Sequence, residues 1–256
     1  MCYDLDSRPP LPPIRGAAGD AGPLTLTSAD GVTFAAYGAR AERDGGPGIV
    51  VLPDVRGLHP FFEELALRFA EAGVHAVAID YFARTAETPD RGEGFDYQSH
   101  VAQCRPESLS ADIAAAAAYL RSPEGGNVDR LYTVGFCFGG KLSLLQATTG
   151  ISADGVISFY GWPVGTHRTG IPAPIDVVDR FAAPVLSFWG GADQGISAED
   201  VKAFADALAA AGVQQTSITY PDAPHSFFDR KAAEFSGESD DAWRQMLAFM
   251  GVTGAA

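Results

Sequence analysis

The chain has 256 residues, 46% hydrophobic and 20% charged, enough for one substantial core. Its net charge of −14 argues against nucleic acid and anionic membrane surfaces as general partners. Three cysteines, Cys2, Cys104 and Cys137, make an odd count without framework spacing, which fits a reducing, cytoplasmic setting. No cluster of Cys or His has metal-ligand spacing, so neither a metal nor a cofactor is expected. No apolar run is long enough to span a membrane, and the first residues lack the apolar core of a signal segment.

In chain order, residues 1–23 read as a surface arm, rich in Pro and Gly. Residues 24–256 read as one domain. Leu24–Thr27 and Val32–Tyr37 flank Ser28-Ala29-Asp30-Gly31 and predict a hairpin. Gly48–Leu52 and Val74–Ile79 are continuous apolar runs of the kind buried in parallel sheets. Between them Phe62, Leu65, Ala66 and Phe69 share one helical face. Residues 85–107 form a long polar connection, and Ser108–Arg121 predicts a helix. Leu131–Val134 predicts a strand, and Lys141–Ala147 a helix close behind it. Further strands are predicted at Gly155–Tyr160, Pro184–Trp189 and Gln215–Tyr220. Ser197 with Asp200 marks a helix start, and Trp243, Met246, Leu247 and Met250 mark a last helix. Strands alternating with helices mean a mostly parallel sheet covered on both faces.

The chemistry centres on Gly135-Phe136-Cys137-Phe138-Gly139. Strand, sharp turn and helix are the layout of a nucleophile elbow, with cysteine as the nucleophile. Glycines two before and two after are what the close approach of strand and helix requires. The Phe138 amide opens the helix and is a donor for an oxyanion. A thiol needs a base, and the base needs an orienting group. His225, after the last strand, is the best placed of five histidines; Asp193, in Gly190-Gly191-Ala192-Asp193, is the candidate orienter. The order Cys, Asp, His is that of the α/β-hydrolase fold. A buried structural thiol, or a redox thiol with Cys104 as partner, is the competing reading.

Three blocks, Gly135-Phe136-Cys137-Phe138-Gly139-Gly140, Gly190-Gly191-Ala192-Asp193 and Pro224-His225-Ser226-Phe227, resemble the signatures of the dienelactone hydrolase family, the carboxymethylenebutenolidases. The resemblance covers about residues 25–250. It implies opening of a cyclic enol-lactone through a cysteine acyl-enzyme, in the breakdown of aromatic compounds. It also implies that Asp54, where the family usually has Glu, modulates the nucleophile, and that Val55 supplies the second oxyanion amide. Arg84 matches an arginine that binds the substrate carboxylate. The second family arginine falls on Asp229 here, with Arg230 one residue later. Tyr160 and Trp162 are expected to line the pocket. The expected partner is a small lactone or ester, and the expected state is a monomer or homodimer. The alternative is a broad carboxylesterase or thioesterase acting on neutral activated esters.

Overall fold

The computed structural model describes residues 6–11, 18–92, 94–167, 169–229 and 231–252. The strands are β1 (Ala18–Thr27), β2 (Thr33–Ala41), β3 (Pro47–Leu52), β4 (His75–Ile79), β5 (Arg130–Phe136), β6 (Gly155–Phe159), β7 (Val185–Gly190) and β8 (Gln215–Tyr220). The helices are α1 (Pro60–Glu71), α2 (Tyr97–Val101), α3 (Pro106–Arg121), α4 (Phe138–Gln146), α5 (Ala198–Ala210) and α6 (Ser236–Phe249). Among the described residues the strands form one sheet, in the order β1-β2-β4-β3-β5-β6-β7-β8. β2 pairs antiparallel with β1 and β4, and the remaining pairs are parallel.

This order has a consequence for function. The chain runs outward from β3 to β4, then returns past β3 to β5. The direction of winding reverses there, and the carboxyl ends of β3 and β5 border a crevice. Such switch points are where open α/β sheets place their sites.

The central strands are apolar on both faces because both faces are covered. Ile49 and Val51 of β3, with Ala76 and Ala78 of β4, pack in one cluster with α1. Their neighbours Val50, Leu52, Val77 and Ile79 pack in the other with α3. Beneath the crevice Phe136, at the end of β5, stacks on Phe159 (4.8 Å) and packs against Phe62 (5.6 Å) and Phe228 (5.8 Å). These rings join four elements under the site and bury large apolar area in defined geometry. Among the described residues no helix is long and apolar enough to cross a membrane.

Two sequence expectations need revision. The segment 18–23 is not arm: β1 begins at Ala18 and holds Pro23 opposite Tyr37. Proline and glycine read as non-strand, but β1 is an edge strand, where a missing donor is tolerated. The connection 85–107 contains the short helix α2. Between β6 and β7 lies a 3-10 segment, Pro174–Arg180.

His59 caps α1, its side chain accepting from the Phe61 amide. Burial first, then the positive charges of Arg56 and Arg8, lower its pKa from 6.5 to about 4. Below pH 6.5 the unfolded chain therefore takes up a proton that the folded chain refuses, and stability is lost as pH falls from about 6.5 towards 4. Calorimetry over that window is expected to show a falling Tm. His59→Asn, which keeps a capping acceptor but does not titrate, is expected to flatten the decline.

Candidate active site

Cys137 stands between β5 and α4 with φ 55° and ψ −112°, a strained conformation for a residue with a side chain. Two backbone approaches hold it there. A Cβ on Gly135 would collide with the carbonyl of Gly139, and one on Gly139 with the carbonyls of Leu52 and Pro53. The glycine spacing thus lets α4 start directly over β5 and beside the end of β3. The Cys137 amide donates to Phe159 O (3.0 Å), and Lys141 N–H returns to Cys137 O (3.2 Å). First-turn amides of a helix precede its own hydrogen-bond ladder, so that of Phe138 belongs to the donor set at this end of α4. Cys137 is 1% exposed.

The second and third elements are brought together by backbone stitching between the loops after β7 and β8. Gly191 N–H donates to Tyr220 O (2.8 Å), and Ala192 N–H to Ala223 O (3.0 Å). Side chains at Gly190 or Gly191 would strike the carbonyls of Ala223 or Pro221. This close contact places Asp193 Oδ2 2.7 Å from His225 Nδ1. A carboxylate can only accept, so Nδ1 carries the proton and Nε2 is the basic nitrogen. Asp193 Oδ1 accepts from Gly195 N–H (2.7 Å). The His225 segment is anchored by Phe227 and Phe228, both fully buried.

Tyr160 and Trp162 lie against the histidine. The Tyr160 ring is 4.7 Å from that of His225 and wholly buried. Its hydroxyl donates to Asp229 Oδ2 (3.1 Å). Asp229 is therefore a buried acceptor for the tyrosine that packs on the histidine. Trp162 is 5.0 Å from the imidazole, and its Nε1–H donates to Gly195 O (3.0 Å). It packs on His225 and bonds to the same loop that holds Asp193. Arg230 lies outside the described residues.

At the end of β3 the chain turns through Asp54-Val55-Arg56-Gly57. Gly57 N–H closes the turn on Asp54 O (3.2 Å), and Asp54 Oδ1 accepts from Arg56 N–H (2.9 Å). Asp54 is fully buried. Tyr81, which the sequence reading passed over, joins this turn to the elbow. Its hydroxyl donates to Pro53 O (2.9 Å) and its ring meets Phe138 edge-on at 5.7 Å. Burial above all, then the charges of Asp54, Cys104, Asp80 and Cys137, hold its pKa well above the ordinary value, so it stays a neutral donor. Lys141, on α4, was also missed. Its Nζ donates to Gly165 O (2.6 Å), tying down the loop that carries Trp162. Burial, opposed by Asp176, lowers its pKa to about 8.

Arg84 is engaged away from the elbow. Its guanidinium bonds Asp112 of α3, both oxygens of Asp30 (2.9 and 2.8 Å) and Ser28 Oγ (3.0 Å) in the β1–β2 turn. Bonds to Ser28 and then Arg84 lower the pKa of Asp30 to about 2, while burial outweighs Arg84 and raises that of Asp112. Burial disfavours the Arg84 charge, but the bonds to Asp112 and Asp30 prevail and raise its pKa.

A mostly parallel sheet in this order, with a strained elbow cysteine and an Asp–His pair on the loops after β7 and β8, has the architecture of an α/β-hydrolase. Residues 34–253 match the model of the Dienelactone hydrolase family. A relative from Escherichia coli (strain K12), "Putative carboxymethylenebutenolidase", is 30% identical over 229 residues, 88% of this chain and 84% of its own. The "Carboxymethylenebutenolidase" of Rhodococcus opacus is 28% identical, covering 97% of this chain and 96% of its own. The crystal structure of a "Putative Dienelactone Hydrolase" from Klebsiella pneumoniae superposes with a TM-score of 0.79 at 27% identity, over 91% of this chain and 99% of that one. The chain belongs to the dienelactone hydrolase family and is a hydrolase of that family.

The elbow contacts give a direct stability test. Gly135→Ala must push α4 off β5, and urea denaturation is expected to show a loss of about 3 kcal/mol or more.

Proposed function

We propose that the chain hydrolyses an activated cyclic ester, an enol-lactone of the dienelactone type, through a thioester on Cys137. The observation that carries the reading is the strained Cys137 at the head of α4, together with the His225–Asp193 bond of 2.7 Å. In this mechanism His225, oriented by Asp193, leaves Cys137 as thiolate. The sulfur adds to the lactone carbonyl, and the amides of Phe138 and Val55 hold the oxyanion. The ring C–O bond then breaks; the enolate stays tethered through the acyl chain to the sulfur and takes the proton held by the His225 imidazolium, giving the keto form and a neutral imidazole. Water adds to the thioester as His225 takes its proton, and the carboxylate product departs with Cys137 restored. Asp54, whose charge bears on the same Tyr81 hydroxyl as that of Cys137, is assigned the modulating role. The substrate is a small molecule, and the odd cysteine count supports a reducing compartment.

A second reading has its own observation. Arg84 is held by two carboxylates, so binding a substrate carboxylate would require it to leave Asp30 or Asp112. This favours a neutral activated ester as substrate. Comparing kcat/KM for a dienelactone and a neutral activated ester of similar size separates the two. On the lactone reading, Arg84→Ala lowers kcat/KM at least tenfold for the lactone alone. On the ester reading it changes both by the same factor.

In either case Cys137→Ala is expected to lose about 10³-fold or more in kcat, and Asp193→Asn a similar factor, because the wrong imidazole tautomer would be stabilised. Near-native turnover by Cys137→Ala would remove the thioester mechanism.

A further inference from the structure

Asp80 follows β4 directly, and its carboxylate is almost wholly buried. Four donors converge on it. Oδ1 accepts from Leu58 N–H (3.2 Å) and Arg91 Nε (2.8 Å); Oδ2 accepts from Phe82 N–H (2.8 Å) and Arg91 Nη2 (2.7 Å). Arg91 is equally buried and bidentate. Its Nη1 donates to Thr88 O (2.7 Å) and Asp90 O (2.9 Å), and its guanidinium lies 4.5 Å from the Phe95 ring centroid. A buried, bidentate and stacked pair of this kind is rigid.

The Leu58 contact gives the pair a reach beyond its own loop. Leu58 is the residue after the Asp54–Gly57 turn, which carries the Val55 amide. Gly57 has φ +80°, and a Cβ there would meet both Asp80 Oδ1 and the Phe82 ring. The carboxylate is thus seated against the back of the turn. The turn's own bonds, Gly57 N–H to Asp54 O and Arg56 N–H to Asp54 Oδ1, set its internal shape. They do not fix where it sits relative to the elbow. On its far side that task falls to Asp80, which is itself held by Arg91 from the connection between β4 and α3.

We propose that Asp80 and Arg91 are positioning residues that hold the Asp54–Leu58 turn, and with it the Val55 oxyanion amide, in register with Cys137. The inference rests on the reading of Val55 as an oxyanion donor. Neither side chain touches substrate; the pair acts through the backbone of the turn. An amide displaced by a fraction of an ångström loses much of its value to a transition state while costing substrate binding little.

The test uses the full chain with Arg91→Lys and, separately, Asp80→Asn. Three quantities are read: kcat and KM for a neutral activated ester, the rate of Cys137 alkylation by iodoacetamide, and Tm. Alkylation needs the thiolate but no oxyanion donor. The expected result is a kcat at least tenfold lower, KM within about threefold, and alkylation no slower than in the native protein. Folded variants with native kcat would overturn the proposal. So would a parallel fall of kcat and alkylation, which marks general support of the fold. If neither variant folds, hydrogen exchange at the Leu58 amide in the native protein decides. Protection is expected, and exchange at the rate of an open loop would overturn the clamp. Cys137→Ala in the same ester assay tells failure of the thioester mechanism apart from failure of the clamp. Should that variant keep native turnover, the exchange measurement alone bears on Asp80 and Arg91.

Discussion

Everything in the site depends on how closely a helix can approach the sheet. At Gly135 and Gly139 the backbones of β5, α4 and the end of β3 touch without side chains between them. This contact forces Cys137 into its strained φ and ψ and starts α4 at the sulfur. It also brings the turn after β3 to the same crevice. The strain is sustained by burial together with the backbone bonds of Cys137 to Phe159 and Lys141. Phe136, one residue before the cysteine, is locked among the rings of Phe62, Phe159 and Phe228. A comparable contact, with Gly190 and Gly191 against residues 221–224, brings Asp193 to His225. Backbone proximity thus determines where the polar groups meet, and hydrogen bonds refine their orientation.

The charged residues around the crevice then divide into two kinds. Asp193 and His225 form a pair with one edge towards solvent, His225 being 21% exposed at its side chain. Asp80–Arg91 and Arg84–Asp30–Asp112 tie separate chain segments together: one holds the turn after β3, the other joins the β1–β2 turn to α3. Asp30 is exposed; the buried members, Asp80, Arg91 and Asp112, contribute little net stability over an apolar replacement, but they fix geometry. That is the property a catalytic rim needs. Arg84 is thereby absorbed into a structural network, and Asp229 is a buried aspartate bonded to Tyr160.

The sequence made the close contacts legible because they demand particular residues. Only glycine fits at 135 and 139, and a strand before and a helix after make the pattern specific. The alternation of buried strands and amphipathic helices was equally readable, since periodicity is a local property. What escaped were pairings set by the folded chain. Nothing near Arg84 in sequence announces Asp30, 54 residues away in a hairpin turn. Arg91 looked like one more polar residue of a long loop, and only the fold carries it to Asp80. Tyr81 and Lys141 were invisible as site residues because their partners are backbone carbonyls. The start of β1 was misread because glycine and proline report the unfolded chain's preferences, not the tolerance of a sheet edge.

The burial of Cys137 has a consequence for wear. A sulfur nucleophile is open to peroxide and other electrophiles, and its higher oxidation products are irreversible. At 1% exposure, Cys137 is shielded from small oxidants by the packing around it. On the proposed thioester mechanism, the same packing also sets how many turnovers the enzyme completes before it is chemically spent.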